Sequence, residues 1–172
     1  MRMLYILSTL LLISAFCWSK PQCVGNTAIL LKYINEYRRL HGLNALIYDK
    51  TLEEASKLQA VYDCETYSNY PISSNHALHE NTLYPQVRNR LDKVGYKFNS
   101  NFSYWYENAI RYNKLTKDNR WFFDIDKQIF EDYKNSLSHN ETMLNKCSTK
   151  IGIYTVYDAE KECLYNVIVF AN

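Results

Sequence analysis

Few side chains in this 172-residue chain could do chemistry. Histidine stands only at positions 41, 76, 79 and 139. His76-Ala-Leu-His79-Glu80 brings two imidazoles and a carboxylate together, but not in the His-Glu-x-x-His order that puts two histidines on one helical face. The Tyr, Ser, Asn and Pro residues around it predict a loop. No Gly-x-Ser-x-Gly elbow is written anywhere to strain a serine into a nucleophile. Of five cysteines, Cys17 falls in an N-terminal apolar run. Cys23, Cys64, Cys147 and Cys163 remain, an even set that suits two disulfides and leaves no thiol over for a Cys–His protease. Three connectivities are open to four cysteines. Cys147 and Cys163, on either side of a C-terminal strand, are the favoured pair, and Cys23 with Cys64 would then tie the N-terminal segment to a helix. A zinc site on these thiols would want a close Cys-x-x-Cys pair, and there is none. Asn101-Phe-Ser103 and Asn140-Glu-Thr142 are glycosylation sequons, usable in a secreted chain.

The elements that must position these groups follow from periodicity. Residues 1–19 read as a signal peptide: Arg2, an apolar run from Met3 to Trp18, then small Ser19 at the cut. The run falls short of the roughly 20 residues of a spanning helix, and no basic stop-transfer cluster follows, so no stable membrane anchor is expected. Residues 20–172 are expected to form a single domain. The 20 basic and 18 acidic residues nearly balance, and no basic patch points to nucleic acid. Leu30, Leu31, Ile34, Tyr37 and Leu40 predict a helix over 27–41 that stops at Gly42. A second is predicted over 51–64, with a Thr51/Glu54 capping box and a stripe of Leu52, Ala55, Leu58 and Val61. A third runs from Pro85 to Val94 and ends at Gly95. Tyr104 to Tyr112 is a strand or extended segment. A fourth helix begins near Asp124, with Ile129, Tyr133 and Leu137 as its core face and Phe130 beside it. Ile151–Tyr157 and Leu164–Phe170 predict a hairpin around the polar 158–162 turn. Helices first and a strand pair last imply an α+β or layered α/β/α domain.

Four stretches, taken in order, give the chain a family likeness. The first holds Asn35, Arg38, Gly42-Leu43, Leu46, Asp49, Leu52 and Ala55; the second is Arg90 to Gly95-Tyr96. The third is Glu107-Asn108-Ala109; the fourth is Tyr133-Lys-Asn-Ser136-Leu-Ser-His139 with Leu144. With Gly152 and the closing strands, they resemble the CAP superfamily of cysteine-rich secretory, venom-antigen and pathogenesis-related proteins, in its SCP-like extracellular form. That resemblance implies a three-layer α/β/α sandwich with a C-terminal antiparallel strand pair. It also implies a cleft lined by two histidines and two glutamates able to hold a divalent metal.

Carried over, His139 matches the second histidine and Glu107 the first glutamate. Counting back from Arg90, His79 matches the first histidine; a loop insertion would substitute His76. The fourth position is Ser136, and Tyr133 replaces the family's tryptophan. Glu131, two residues before Tyr133, is turned about 200° away on a helix. Three ligand-type residues are therefore expected, enough for zinc or another divalent cation with a position open to water. The resemblance implies a secreted, non-enzymatic domain that binds a lipid or sterol, a divalent metal or a partner protein through the cleft. The alternative is a metal-dependent hydrolase or peptidase that uses the same His/Glu cleft. Trp121-Phe122-Phe123 is a candidate lining for a lipid groove.

Overall fold

The computed structural model describes residues 22–67, 78–98, 102–115 and 124–172. The signal-type segment, His76, Asn101 and Trp121-Phe122-Phe123 lie outside them. Strand β1 (Gln22–Cys23) leads into α1 (Thr27–Leu40), where the Asn26 side chain accepts from the Ala28 N–H at 3.0 Å and so caps the first turn. A short β2 (Ile47–Tyr48) precedes α2 (Lys50–Tyr67). The cap of α2 is Asp49, whose Oδ1 accepts from the Thr51 and Leu52 N–H groups at 2.9 and 3.2 Å, rather than the expected Thr51/Glu54 box.

The buried face of α2 is Leu52, Ala55, Ser56, Gln59, Ala60, Asp63, Cys64 and Tyr67. Leu58 and Val61, expected in the stripe, are only half-buried. The reason is angular. Steps of three lag the helix by about 60° each, so nine residues carry Val61 to the side opposite Leu52.

Helix α3 (Val87–Lys93) stops at Gly95, which takes φ +74°. Strand β3 (Trp105–Asn113) follows, then α4 (Ile125–Asn135) and α5 (Leu137–Met143). The expected single fourth helix is broken, because Ser136 is extended at φ −93°, ψ 119°. Leu137 therefore points outward, 77% exposed, instead of joining Ile129 and Tyr133 in the core. The chain ends with the hairpin β4 (Lys150–Asp158) and β5 (Cys163–Ala171).

The sheet has five strands in the order β1-β4-β5-β3, with β2 joined in parallel to the start of β4 and the other pairings antiparallel. Alternation along the strands feeds two cores. On one face, Ile151, Ile153, Leu164, Ile168 and Phe170 pack with Leu30 and Ile34 of α1 and with Ile129, Phe130 and Tyr133 of α4. On the other, Val156, Tyr165, Val167 and Val169 pack with Leu52, Ala55, Ala60 and Cys64 of α2 and Leu91 of α3. This is the layered α/β/α arrangement expected from the resemblance. No helix among the described residues is long and apolar enough to cross a membrane.

The register corrects the favoured cysteine pairing. Cys163 lies opposite Asp158, while Lys150, three residues after Cys147, lies opposite Ala171. Cys147 and Cys163 thus sit at opposite ends of a ladder roughly 25 Å long, far beyond the about 7 Å that a disulfide spans between Cα atoms. Flanking a strand in sequence separates two residues by its length. Cys64 and Cys163 are both buried in the α2-side core, and Cys23 is exposed on β1.

Candidate cleft site

Strand β3 is an edge of the sheet, so side chains from both helical layers can meet around it. Trp105 and Ala109 pack in the α2-side core, and Tyr106, Ile110 and Tyr112 in the α1-side core. By the same alternation Glu107 faces α2 and α3, and Asn108 faces the other way. The contacts agree. Glu107 is 2% exposed, its Oε2 paired with the fully buried guanidinium of Arg90 on α3. Its Oε1 bonds to Nδ1 of His79 at 2.8 Å. Across the edge, Asn108 Nδ2 donates to the His139 carbonyl at 3.0 Å, fixing the start of α5 against β3.

His79 is half-exposed at the mouth of this array and His139 is half-buried. Burial is the main cause that holds the His139 pKa below its usual value, and the proximity of His79 adds to it. That lowering favours the neutral imidazole of His139 at neutral pH. Tyr133, at the family's tryptophan position, lies edge-on to the His139 ring at 5.1 Å. Its hydroxyl bonds to Asn166 Oδ1 at 2.9 Å, which pins the ring from beneath. The break at Ser136 re-aims the chain and lets α5 present His139. Glu131 pairs with Lys134 at 3.1 Å on the outer side of α4, as its helical angle implied.

The structure thus brings His79, Glu107 and His139 to one edge of the sheet. Both oxygens of Glu107, however, are committed to protein donors. With a carboxylate on Nδ1, His79 is oriented to turn Nε2 outward, an arrangement that supports a ligand and adds no further one. Among the described residues, no three His, Cys, Asp or Glu side chains converge as a metal-holding group. Among the described residues the site thus brings together the imidazoles of His79 and His139, with Glu107 holding His79 and Arg90.

Sequence reasoning did not assign roles to Arg90, Asp63 and Gln59. Asp63 is fully buried on α2, and its Oδ1 accepts from Gln59 Nε2 at 2.8 Å. The same amide donates to the Leu78 and Glu80 carbonyls, both at 3.1 Å, and so clamps the segment that carries His79. The available signal was a polar pair at i and i+4 on the face of α2 that also holds Leu52 and Ala55.

Burial pushes the Asp63 pKa up to about 8, with nearby Glu107 adding to the shift and Gln59 and Arg90 opposing it. The folded state then holds one proton more than the unfolded chain between about pH 4 and pH 8, so stability falls as pH rises through that window, by up to about 1.4 kcal/mol per unit. Asp63→Asn keeps the shape and cannot ionise. Urea unfolding at pH 5 and pH 8 is expected to show a flatter pH dependence in this variant, and higher stability than wild type at pH 8. An unchanged slope would refute the assignment.

Comparison with known proteins bears on the whole domain. A family model described as the cysteine-rich secretory protein family, CAP, matches residues 31–170. An outer surface protein from Borrelia burgdorferi is 21% identical with a TM-score of 0.60, over 88% of this chain and 98% of that one. An extracellular protein containing an SCP domain from Bacillus anthracis is 18% identical with a TM-score of 0.61, over 82% of this chain and 38% of that one. A cysteine-rich secretory protein from Staphylococcus aureus is 18% identical with a TM-score of 0.53, over 83% of this chain and 36% of that one. These structural likenesses carry the fold. Among curated proteins none matches.

Proposed function

This chain belongs to the CAP, cysteine-rich secretory protein, family, and on that premise we propose that it is a non-catalytic binding domain that works outside the cell through the His79–His139 cleft. The observation that carries the proposal is the commitment of Glu107. Its carboxylate is spent on Arg90 and His79, so among the described residues the imidazoles of His79 and His139 are the groups left to meet a ligand. Imidazoles suit the polar end of a ligand: a lipid or sterol hydroxyl, a partner's side chain, or a divalent cation completed by water. The extracellular setting draws on the Bacillus anthracis and Borrelia burgdorferi proteins, described as extracellular and as an outer surface protein, and on the signal-type N-terminus.

The test is a paired titration of the folded protein, with zinc by calorimetry and with phosphatidylcholine vesicles, with and without cholesterol, by sedimentation. Wild type is expected to show saturable association with at least one probe, weakened about tenfold or more in His139→Ala, the order of one lost hydrogen bond in a desolvated site. Association with neither probe would overturn the binding reading. So would zinc-dependent peptide hydrolysis that disappears in the same variant.

A further inference from the structure

We propose that a second pocket, between the turn after α1 and the segment entering β4, binds a tetrahedral oxyanion, a phosphate or sulfate group. The pocket is a cavity of about 330 Å³, whose walls include Arg38, Asn44, Lys146, Ser148 and Thr149. Among the described residues, two cations and no carboxylate line it.

Arg38 is the unusual member. It is 1% exposed and donates to four backbone carbonyls: Asn44 at 2.9 Å, Met143 at 2.6 Å, Asn145 at 3.0 Å and Ser148 at 3.3 Å. All four acceptors are neutral, and among the described residues no carboxylate pairs with this guanidinium. Burial accordingly pulls its pKa down, with no opposing charge to restore it. A buried cation is ordinarily paired, because carbonyl dipoles replace hydration only in part. A guanidinium has five N–H donors, so one remains beyond the four bonds.

Two further groups at the same pocket are unspent. Ser148 is 2% exposed and its hydroxyl has no hydrogen-bond partner among the described residues. Lys146 is exposed and makes no ion pair among the described residues. A rotatable hydroxyl, a mobile ammonium and a fixed positive charge answer a compact anion with several acceptor oxygens. The cavity exceeds a bare ion, so the group is either free or carried on a larger molecule.

The experiment is thermal unfolding of the whole protein in rising sodium phosphate, against sodium chloride of matched ionic strength. Wild type, Lys146→Gln and Ser148→Ala are compared, neither substitution touching the cleft. A site gives a saturable rise in melting temperature, with half-saturation moved at least about fivefold in each variant, and the rise persists in His139→Ala, so its failure is separable from failure of the cleft. Vesicles of phosphatidic acid, against phosphatidylcholine alone, then divide the sources. Sedimentation with phosphatidic acid places the group on a lipid, and saturation by inorganic phosphate without it identifies a free ion. No saturable rise in wild type overturns the proposal. So does a rise of equal slope in all proteins, which is the signature of general salt exclusion.

Discussion

Gly152→Ala is expected to abolish the native fold. A Cβ at this position would lie 2.1 Å from the Leu52 carbonyl carbon, 2.2 Å from the Glu53 nitrogen and 2.5 Å from the Leu52 oxygen. All three are backbone atoms of the first turn of α2, so no side chain can swing aside. Helix α2 rests on β4 here with nothing between them. The contact is locked by Ser56, whose Oγ bonds to the Leu52 and Gly152 carbonyls at 3.0 Å each and accepts from the Val169 N–H at 3.2 Å. Accommodating one methyl group means lifting α2 from the sheet and opening the core of Leu52, Ala55, Ala60, Val167 and Val169. Overpacking against backbone belongs among the most destabilising single changes, and the expected loss exceeds about 4 kcal/mol. Gly42→Ala is the control. Nothing lies within 4 Å of its added Cβ, but its φ of +71° disfavours a side chain, so a loss of only about 1–2 kcal/mol is expected. Circular dichroism and urea unfolding decide both. A Gly152→Ala protein that melts with wild type would show that α2 does not seat on β4 as described.

Arg90→Met should cost about 3–5 kcal/mol, the usual penalty for stranding one member of a buried ion pair. Arg90 is wholly buried and Glu107 nearly so. Without the guanidinium the carboxylate keeps, among the described residues, only His79 Nδ1 and is repelled by buried Asp63 nearby. The diagnostic is recovery: Arg90→Met with Glu107→Gln removes the orphaned charge and should regain much of the loss. Urea unfolding of the two single variants and the double variant gives the coupling energy directly. A single-variant loss under about 1 kcal/mol, or no recovery in the double variant, would refute the buried pairing.

The strand pair was legible in sequence because β-branched and aromatic residues dominate 151–157 and 164–170, interrupted only by Gly152, Leu164 and Asn166. The first and third helices were legible for the opposite reason, with a periodic stripe and a glycine stop, although Leu40 of the first stripe is 72% exposed and Arg38 is buried on that helix. The α2 stripe was misread where steps of three mimic a helical repeat yet drift off the face. The break at Ser136 left no mark, since neither glycine nor proline stands there, and so Leu137 was assigned to the core.

The cleft divides in the same way. His79, Glu107 and His139 were named from the resemblance and lie at one edge of the sheet. What Glu107 does there was not legible, because its partner Arg90 is on another element and only the fold aims both inward. Asp63 and Gln59 were passed over because polar residues in an apolar stripe read as a surface face until burial is known.

The position of β5 has a consequence for the timing of synthesis. It comes last in chain order, yet it lies in the middle of the sheet between β4 and β3, with all nine residues buried. A polypeptide emerging N-terminus first therefore presents its helices, β3 and β4 with neither core able to close. Only when β5 has emerged can both layers condense together, through contacts that span almost the whole chain. Until then neither core is closed, and the two layers condense as one event once the last strand is made.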